Sequence, residues 1–442
     1  MLFNSHIFIF LFLPITLAGF FLIGKTWNHR YATIWLTIAS LFFYGWWNPV
    51  YLILIVFSII FNFYAGSRLA RATQGEKIKR PKALLVFSIG VNIALIAYFK
   101  YANFFVDNLN SVLGTEFFIS AIVLPLAISF FTFQQVAFLI DSYRAETREY
   151  DFQSYALFVT FFPQLIAGPI VHHKDMMPQF AKEPERGLGY ANLSIGLTIF
   201  SLGLFKKVVL ADGIALFATP VFSAAGAGDT LSFFTAWTGA LSYTFQLYFD
   251  FSGYSDMAVG IGTAFGIRLP LNFSSPYKAT NIIDFWRRWH ITLSTFFRDY
   301  VYFPLGGSRE TTARTLFNLI ITMLLGGLWH GAGWTFVFWG FLHGVYLAIN
   351  HGWRMARRSL LGHDLEKSTL AGRVTGTIIT FLAVVVSWVF FRADSFTSAL
   401  GILRGMAGLN GVEFYIKYLK KWPVLAPKLS ELGVKFSETR LF

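Results

Sequence analysis

Cysteine is absent from all 442 residues, which excludes disulfides, thiolate metal sites and an acyl-enzyme formed on sulfur. Charge is scarce as well: Asp, Glu, Lys and Arg make up 13% of the chain, where a soluble domain carries about 25%. Familiar catalytic signatures are missing. There is no GxSxG nucleophile elbow and no HExxH zinc motif, and none of the nine histidines is followed five residues later by an aspartate. No internal repeat or low-complexity tract occurs, which weighs against a transporter built from duplicated halves. No metal site is expected, because no cluster of His, Asp and Glu has ligand spacing.

What is present is made to dissolve in lipid. Hydrophobic residues make up 55% of the chain, with 52 Phe and 13 Trp, rings that fill helical bundles and interfacial belts alike. No soluble domain of ordinary size remains once the apolar runs are set aside. The net charge of +13 lies mostly in short loops between those runs, so it reads as a cytoplasmic face rather than a nucleic-acid surface. The expectation is an all-α polytopic membrane protein and a single integral-membrane domain over residues 1–442, with N-terminal spans in 1–150, a core in 151–410 and a Lys-rich amphipathic tail in 411–442.

Apolar runs at 6–24, 31–48, 50–66, 83–99 and 117–140 are each long enough to cross about 30 Å of hydrocarbon as helix. The first lacks a basic leader and a small-residue cleavage site, so it is expected to be retained. Arg68, Arg71, Lys77, Lys79, Arg80 and Lys82 put the loop 67–82 in the cytoplasm, and 102–116, holding only Asp107 and Glu116, outside. Counting back places the N-terminus outside; counting forward returns the chain to the cytoplasm near Asp141 to Asp151. Lys25 and Arg30 agree with this.

Beyond residue 150 the runs are 155–171, 190–205, 208–223, 231–249, 257–267, 315–328, 332–350 and 375–391, broken by Gly, Pro and charge. Several are short and read as re-entrant segments, which are tolerated at membrane depth only where protein or a water-filled cavity surrounds them. The stretch 276–304 mixes Arg287, Arg288, His290 and Arg298 with Trp286, Trp289, Phe296 and Phe297. It reads as an interfacial helix, with Arg287, His290, Ser294 and Phe297 on one face.

GFFLIGKT at 19–26 fits the P-loop pattern in letters only, since bulky residues continue a membrane helix where a phosphate-binding nest would be needed. The histidines are more informative. An ionisable side chain at bilayer depth usually serves a task, and His330, in LLGGLWHGAGW, is the leading candidate. Gly326, Gly327, Gly331 and Gly333 beside it leave room for backbone or a thin substrate. His290, in FWRRWHITLS, is a second candidate as base, orienter or donor contact. The remaining histidines sit mostly at segment ends, and of them His343 alone merits a test. Asp250 and Asp256, in LYFDFSGYSDMAVGIG, read as structural carboxylates paired with Arg or backbone amides.

The segments WRRWHITLSTFFRDYVYFPLGG and GGLWHGAGWTFVFWGFLHG resemble those of the membrane-bound O-acyltransferase superfamily, and within it the alginate O-acetyltransferase branch. FFPQLIAGPIVHHKDMMPQF at 161–180, LNFSSPYKATNIIDFWRRWH at 271–290 and SWVFFRADSFTSALGILRGM at 387–406 extend the likeness over nearly the whole chain. The resemblance implies a ring of roughly 10–12 tilted transmembrane helices, plus re-entrant or interfacial helices, around a central funnel. It implies His330 as the active-site residue with His290 beside it. Relatives close with another apolar span, whereas 417–442 here is Lys-rich; either the chain is shortened or this end lies on the membrane surface.

The resemblance further implies an acetyl relay in the bacterial inner membrane. A cytoplasmic thioester, acetyl-CoA, would be the donor, with no cofactor bound. A periplasmic acceptor or polysaccharide-modifying protein would be the partner, and an exopolysaccharide such as alginate the final acceptor, with no nucleic acid involved. His330 would act as general base and His290 would orient substrate or stabilise the oxyanion. The loop 67–82, or Arg287 and Arg288, would hold the nucleotide phosphates. D-alanyl or other acyl transfer to teichoic acid, peptidoglycan or cellulose is the alternative within the enzyme class, and a polysaccharide transporter or export channel the alternative outside it.

Overall fold

The computed structural model describes residues 1–75, 80–147, 151–181, 189–309, 311–361, 369–415 and 434–437. Helix dominates them, as lipid demands of a chain that must satisfy its own backbone. Among the described residues six stretches are long and apolar enough to cross a membrane: Phe8–Thr26, Tyr51–Thr73, Pro81–Leu113, Tyr190–Ala227, Thr312–His330 and Leu370–Arg392. The protein is an all-α polytopic membrane protein. Its contacts divide it into two compact units, Met1–Phe205 with Ser252–Asn272, and Lys206–Phe251 with Phe273–Phe442.

The first unit contains α1 (Leu13–Thr26), α2 (His29–Gly45), α3 (Tyr51–Thr73), α4 (Pro81–Ile96), α5 (Ala102–Leu113), α6 (Ile128–Tyr143), α7 (Phe152–Thr160), α8 (Phe162–Leu165), α9 (His173–Ala181), α10 (Tyr190–Phe205) and the C-terminal part of α12 (Phe233–Ala264). Phe3, Phe8, Phe43 and Phe162 lie at its core. Polar side chains tie the helices where lipid offers no hydrophobic drive. Asn62 Nδ2 donates to Gln135 Oε1 at 2.8 Å, and Asn92 Nδ2 donates to Asn62 Oδ1 at 2.7 Å. The glycines of α10 and α12 let two backbones touch: a Cβ on Gly196 would lie 2.6 Å from the Gly260 carbonyl oxygen, and one on Gly203 2.6 Å from that of Gly253.

Three sequence expectations change here. The run expected at 83–99 continues to Leu113 through a π-helical segment, Ala97–Tyr101, so 102–113 is helix rather than loop. The run 117–140 is not one span. Residues 115–127 are non-helical and α6 begins at Ile128, preceded by Pro125 and by Ala127 at φ 59°. Proline disfavours helix in the residue before it, and α5 supplies the missing partners: Asn110 Nδ2 donates to the Phe117 carbonyl at 2.8 Å, and Ile122 N donates to Asn103 Oδ1 at 3.1 Å. The run 155–171 becomes two short helices, α7 and α8, with Tyr155 to Leu165 buried in protein, the setting such segments require.

The second unit holds α11 (Asp212–Ala227), the N-terminal part of α12, α13 (Ile282–Trp286), α14 (Ile291–Phe297), α15 (Thr312–His330), α16 (Trp334–Leu361), α17 (Leu370–Arg392) and α18 (Phe396–Met406). The runs expected separately at 190–205 and 208–223 are joined by a π-helical segment, Lys206–Ala211, and those at 231–249 and 257–267 merge in α12. Of the expected tail, residues 416–433 and 438–442 lie outside the described residues. The rest forms β1 (Val412–Tyr415) and β2 (Val434–Ser437), paired in parallel with Val412 opposite Val434.

The expected single helix over 276–304 is broken. A 3₁₀ turn, Pro276–Lys278, precedes α13, whose cap is Asn281 Oδ1 accepting from Asp284 N at 3.0 Å. The chain then turns at His290, φ 43° and ψ 55°, into α14 and a π-helical segment, Arg298–Tyr302. Arg287, His290, Ser294 and Phe297 therefore share no continuous helical face.

Candidate functional site

α15 and α16 form an antiparallel pair whose backbones nearly touch. A Cβ on Gly327 would lie 2.2 Å from the Phe336 carbonyl oxygen, and one on Gly340 2.3 Å from that of Met323. Gly327, near His330, thus admits a neighbouring backbone, one of the two approaches expected of these glycines. The space at Gly331 is taken by the Phe336 ring, 2.3 Å from the position of a Cβ. Ordinary room remains only at Gly326 and Gly333, where the nearest atoms are 3.7 and 3.5 Å away.

His330 is the last residue of α15, half-buried ahead of the turn at 331–333. Its ring meets Trp339 at 5.1 Å, Phe391 at 5.1 Å and Trp329 at 4.8 Å. A helix C-terminus favours positive charge by about 0.3–1 kcal/mol, so an imidazole that takes up a proton here gains support from the backbone.

His290, 1% exposed, packs against aromatic rings. Phe251 lies 4.7 Å from it edge to face, and Trp329 lies at 6.2 Å. Trp329 therefore contacts both candidate histidines. His343 is fully buried against Trp339 at 4.8 Å, Trp286 at 5.1 Å and Phe285 at 6.1 Å. Its Nε2 lies 2.9 Å from Ser387 Oγ. His343 stood out as worth a test, but no spacing joins it to the aromatic cluster of His330, because Trp339 and Trp286 come from different helices.

Of the proposed phosphate holders, Arg288 is engaged within the chain, to Asp284 at 2.8 Å and the Ser274 carbonyl at 3.3 Å, while Arg287 is exposed. In the loop 67–82, residues 76–79, including Lys77 and Lys79, lie outside the described residues. Asp250 is paired, as a carboxylate at this depth requires. Its partner is a lysine rather than the arginine or amide expected: Lys207 Nζ lies 2.6 Å from Asp250 and 2.7 Å from Asp212. Asp256 falls in the other unit. The P-loop-like letters lie in α1, where a Cβ on Gly19 would meet the Trp35 ring at 2.5 Å.

Sequence spacing missed one cluster, because its members lie far apart in the chain. In the first unit Asp141 Oδ2 receives His172 Nε2 at 2.7 Å and His173 Nε2 at 2.9 Å, with Lys174 Nζ at 3.9 Å. These ligand-type atoms could surround a cation. The separations are those of hydrogen bonds, however: an ionised carboxylate only accepts, so both imidazoles donate through the nitrogens a metal would need. Lys174, which also bonds Glu146, adds a positive charge at the same oxygen. Burial pushes the His173 imidazole below its ordinary range, against the pull of Asp141. The cluster fastens the start of α9 to α6.

Residues 81–388 match the model of the family described as MBOAT, membrane-bound O-acyltransferase family. The chain is 48% identical to a peptidoglycan O-acetyltransferase of Helicobacter pylori, covering 93% of this chain and 81% of that one. It is 42% identical to a probable alginate O-acetylase of Pseudomonas aeruginosa, covering 92% and 75%. A teichoic acid D-alanyltransferase of Streptococcus thermophilus is 30% identical over 60% of this chain and 68% of its own length.

Proposed function

Because the chain belongs to the membrane-bound O-acyltransferase family, we propose that this multi-pass membrane O-acyltransferase carries acetyl from a cytoplasmic thioester, acetyl-CoA, to a hydroxyl outside the membrane, for O-acetylation of an envelope glycan. The observation that carries the reading is His330, half-buried at the end of α15 within a wall of aromatic rings. As neutral imidazole it accepts the proton of the acceptor hydroxyl while that oxygen attacks the thioester carbonyl. The new C–O bond forms, the C–S bond breaks, and the proton passes to the leaving thiolate. General base catalysis of this kind contributes about 100- to 10,000-fold. His290 steadies substrate or oxyanion from its place beyond Trp329.

Relatives named for acetyl transfer support acetyl as the group moved. The 48% identity to a protein named for peptidoglycan, against 42% for one named for alginate, favours peptidoglycan over the exopolysaccharide expected from sequence. Placement in the bacterial inner membrane, N-terminus outside, rests on the basic loop 67–82. A periplasmic partner that passes the acetyl group on belongs to the same reading.

The test is transfer from radiolabelled acetyl-CoA by purified protein in detergent, with muropeptides and exopolysaccharide fragments as acceptors. His330→Ala is expected to insert and accumulate yet lose transfer; near-normal turnover by that variant would remove the assignment. Mass spectrometry of envelope polymers from a deletion strain identifies the glycan.

A further inference from the structure

Three buried polar atoms in the second unit, His343 Nδ1, Trp286 Nε1 and Trp339 Nε1, have no hydrogen-bond partner among the described residues. Their rings form a triangle. Centroids lie 5.1 Å apart for Trp286 and His343, 4.8 Å for Trp339 and His343, and 5.9 Å for Trp286 and Trp339. Buried polar atoms left unpaired are unusual in a protein interior.

The protonation of His343 follows from the hydroxyl it faces, Ser387. Ser387 has a single hydroxyl proton and donates it to the Val384 carbonyl at 2.8 Å. Toward His343 Nε2, 2.9 Å away, its oxygen therefore accepts. The imidazole carries its proton on Nε2, and Nδ1 presents a bare lone pair. The triangle thus offers two N–H donors and one acceptor, the complement of a single hydroxyl-type oxygen with two lone pairs and one proton. A carbonyl or ether oxygen lacks the proton, and an ammonium group lacks the lone pairs.

We propose that Trp286, Trp339 and His343 together bind one O–H oxygen, and that His343 is thereby a positioning residue for acyl transfer at His330. Trp339, the ring that contacts both histidines, joins the two. The link to transfer rests on the reading of His330 given above. The oxygen belongs either to an ordered water or to the hydroxyl of the acyl acceptor; both have the same hydrogen-bonding chemistry.

Two measurements test this. Nitrogen-15 spectra of histidine-labelled protein in bilayers report each tautomer without any need for activity. One histidine protonated at Nε2 and bare at Nδ1 is expected, absent in His343→Gln and mixed between tautomers in Ser387→Ala. A His343 signal protonated at Nδ1 would overturn the proposal even if no donor were ever found. Transfer assays supply the second arm. His343→Ala is expected to lower transfer about tenfold per folded molecule, and His343→Asn, whose carbonyl can replace the Nδ1 acceptor, to restore part of it. A loss in kcat alone identifies water, and a rise in KM for the acceptor identifies the substrate hydroxyl. Unchanged kcat and KM in His343→Ala, or a lowered melting temperature as the only effect, would reject the positioning role, with Ser387→Ala as the milder check should the alanine variant fold poorly. A wild-type protein that transfers nothing would instead count against the acyltransfer reading, and the tautomer spectra would still decide the site.

Discussion

In the first unit two adjacent imidazoles, His172 and His173, aim Nε2 at one buried carboxylate, Asp141, with Lys174 close by. In the second unit His290, His330 and His343 lie against indole and phenyl rings, and the polar partner of His343 is a hydroxyl. The two settings hold an imidazole for different ends. A carboxylate fixes the proton on the nitrogen facing it and makes a fastening. Aromatic walls fix the ring by packing, and at His343 the facing hydroxyl of Ser387 sets the proton.

The largest effect expected from this contrast is on turnover. His330→Ala should lose about 100- to 10,000-fold in transfer, whereas His173→Ala should keep turnover per folded molecule close to wild type; similar losses in both would erase the distinction. Stability should run the other way. Removing the carboxylate with Asp141→Asn should cost about 1–3 kcal/mol in denaturant unfolding, because a buried imidazole donor is left short of an acceptor, while His330→Ala, at a half-buried site, should cost less. Gly327→Ala, which drives a methyl into the Phe336 carbonyl, should cost about 1–3 kcal/mol and lower transfer with it, since α15 carries His330.

A smaller effect belongs to Asp151, which caps α7 by accepting from Ser154 N at 3.0 Å and Ser154 Oγ at 2.6 Å. Partial burial works against its charge, but these hydrogen bonds prevail and hold the carboxyl below its usual range. A depressed folded-state value means that this stability is present above the unfolded carboxyl range and is lost as pH falls through the folded value. Asp151→Ala should therefore cost about 1 kcal/mol near neutrality and progressively less below about pH 4, as thermal melts across pH would record. Smallest of all, a chelator should leave the melting temperature of the protein as purified unchanged; a drop reversed by zinc would make the Asp141 cluster a cation site after all.

The membrane class was legible because it depends on local composition, long apolar runs, and the same local signal, ionisable groups set within such runs, marked His330 and His290 for test. What the sequence hid depends on contacts between distant residues. The Gly-rich segment around His330 suggested open space, yet Phe336, from the next helix, fills the place at Gly331. The 276–304 stretch carried a helical pattern across His290, but the turn there is fixed by burial of Phe285, Trp289 and His290 among rings from elsewhere in the unit. Asp141 lies too far along the chain from His172 and His173 for any spacing rule to join them. The run 117–140 read as one span because hydropathy ignores the side-chain amides that hold residues 115–127 out of helix.

The left-handed backbone at His290 has a consequence of its own. A residue with a β-carbon held at φ 43° gives up about 1–2 kcal/mol that glycine would not. Were durability the sole demand at this turn, glycine would be the better occupant. A His290→Gly protein should therefore lose the imidazole while its backbone relaxes, so that part of the destabilisation expected from emptying the site against Phe251 is returned. The native chain is, at this position, less robust than its own geometry permits.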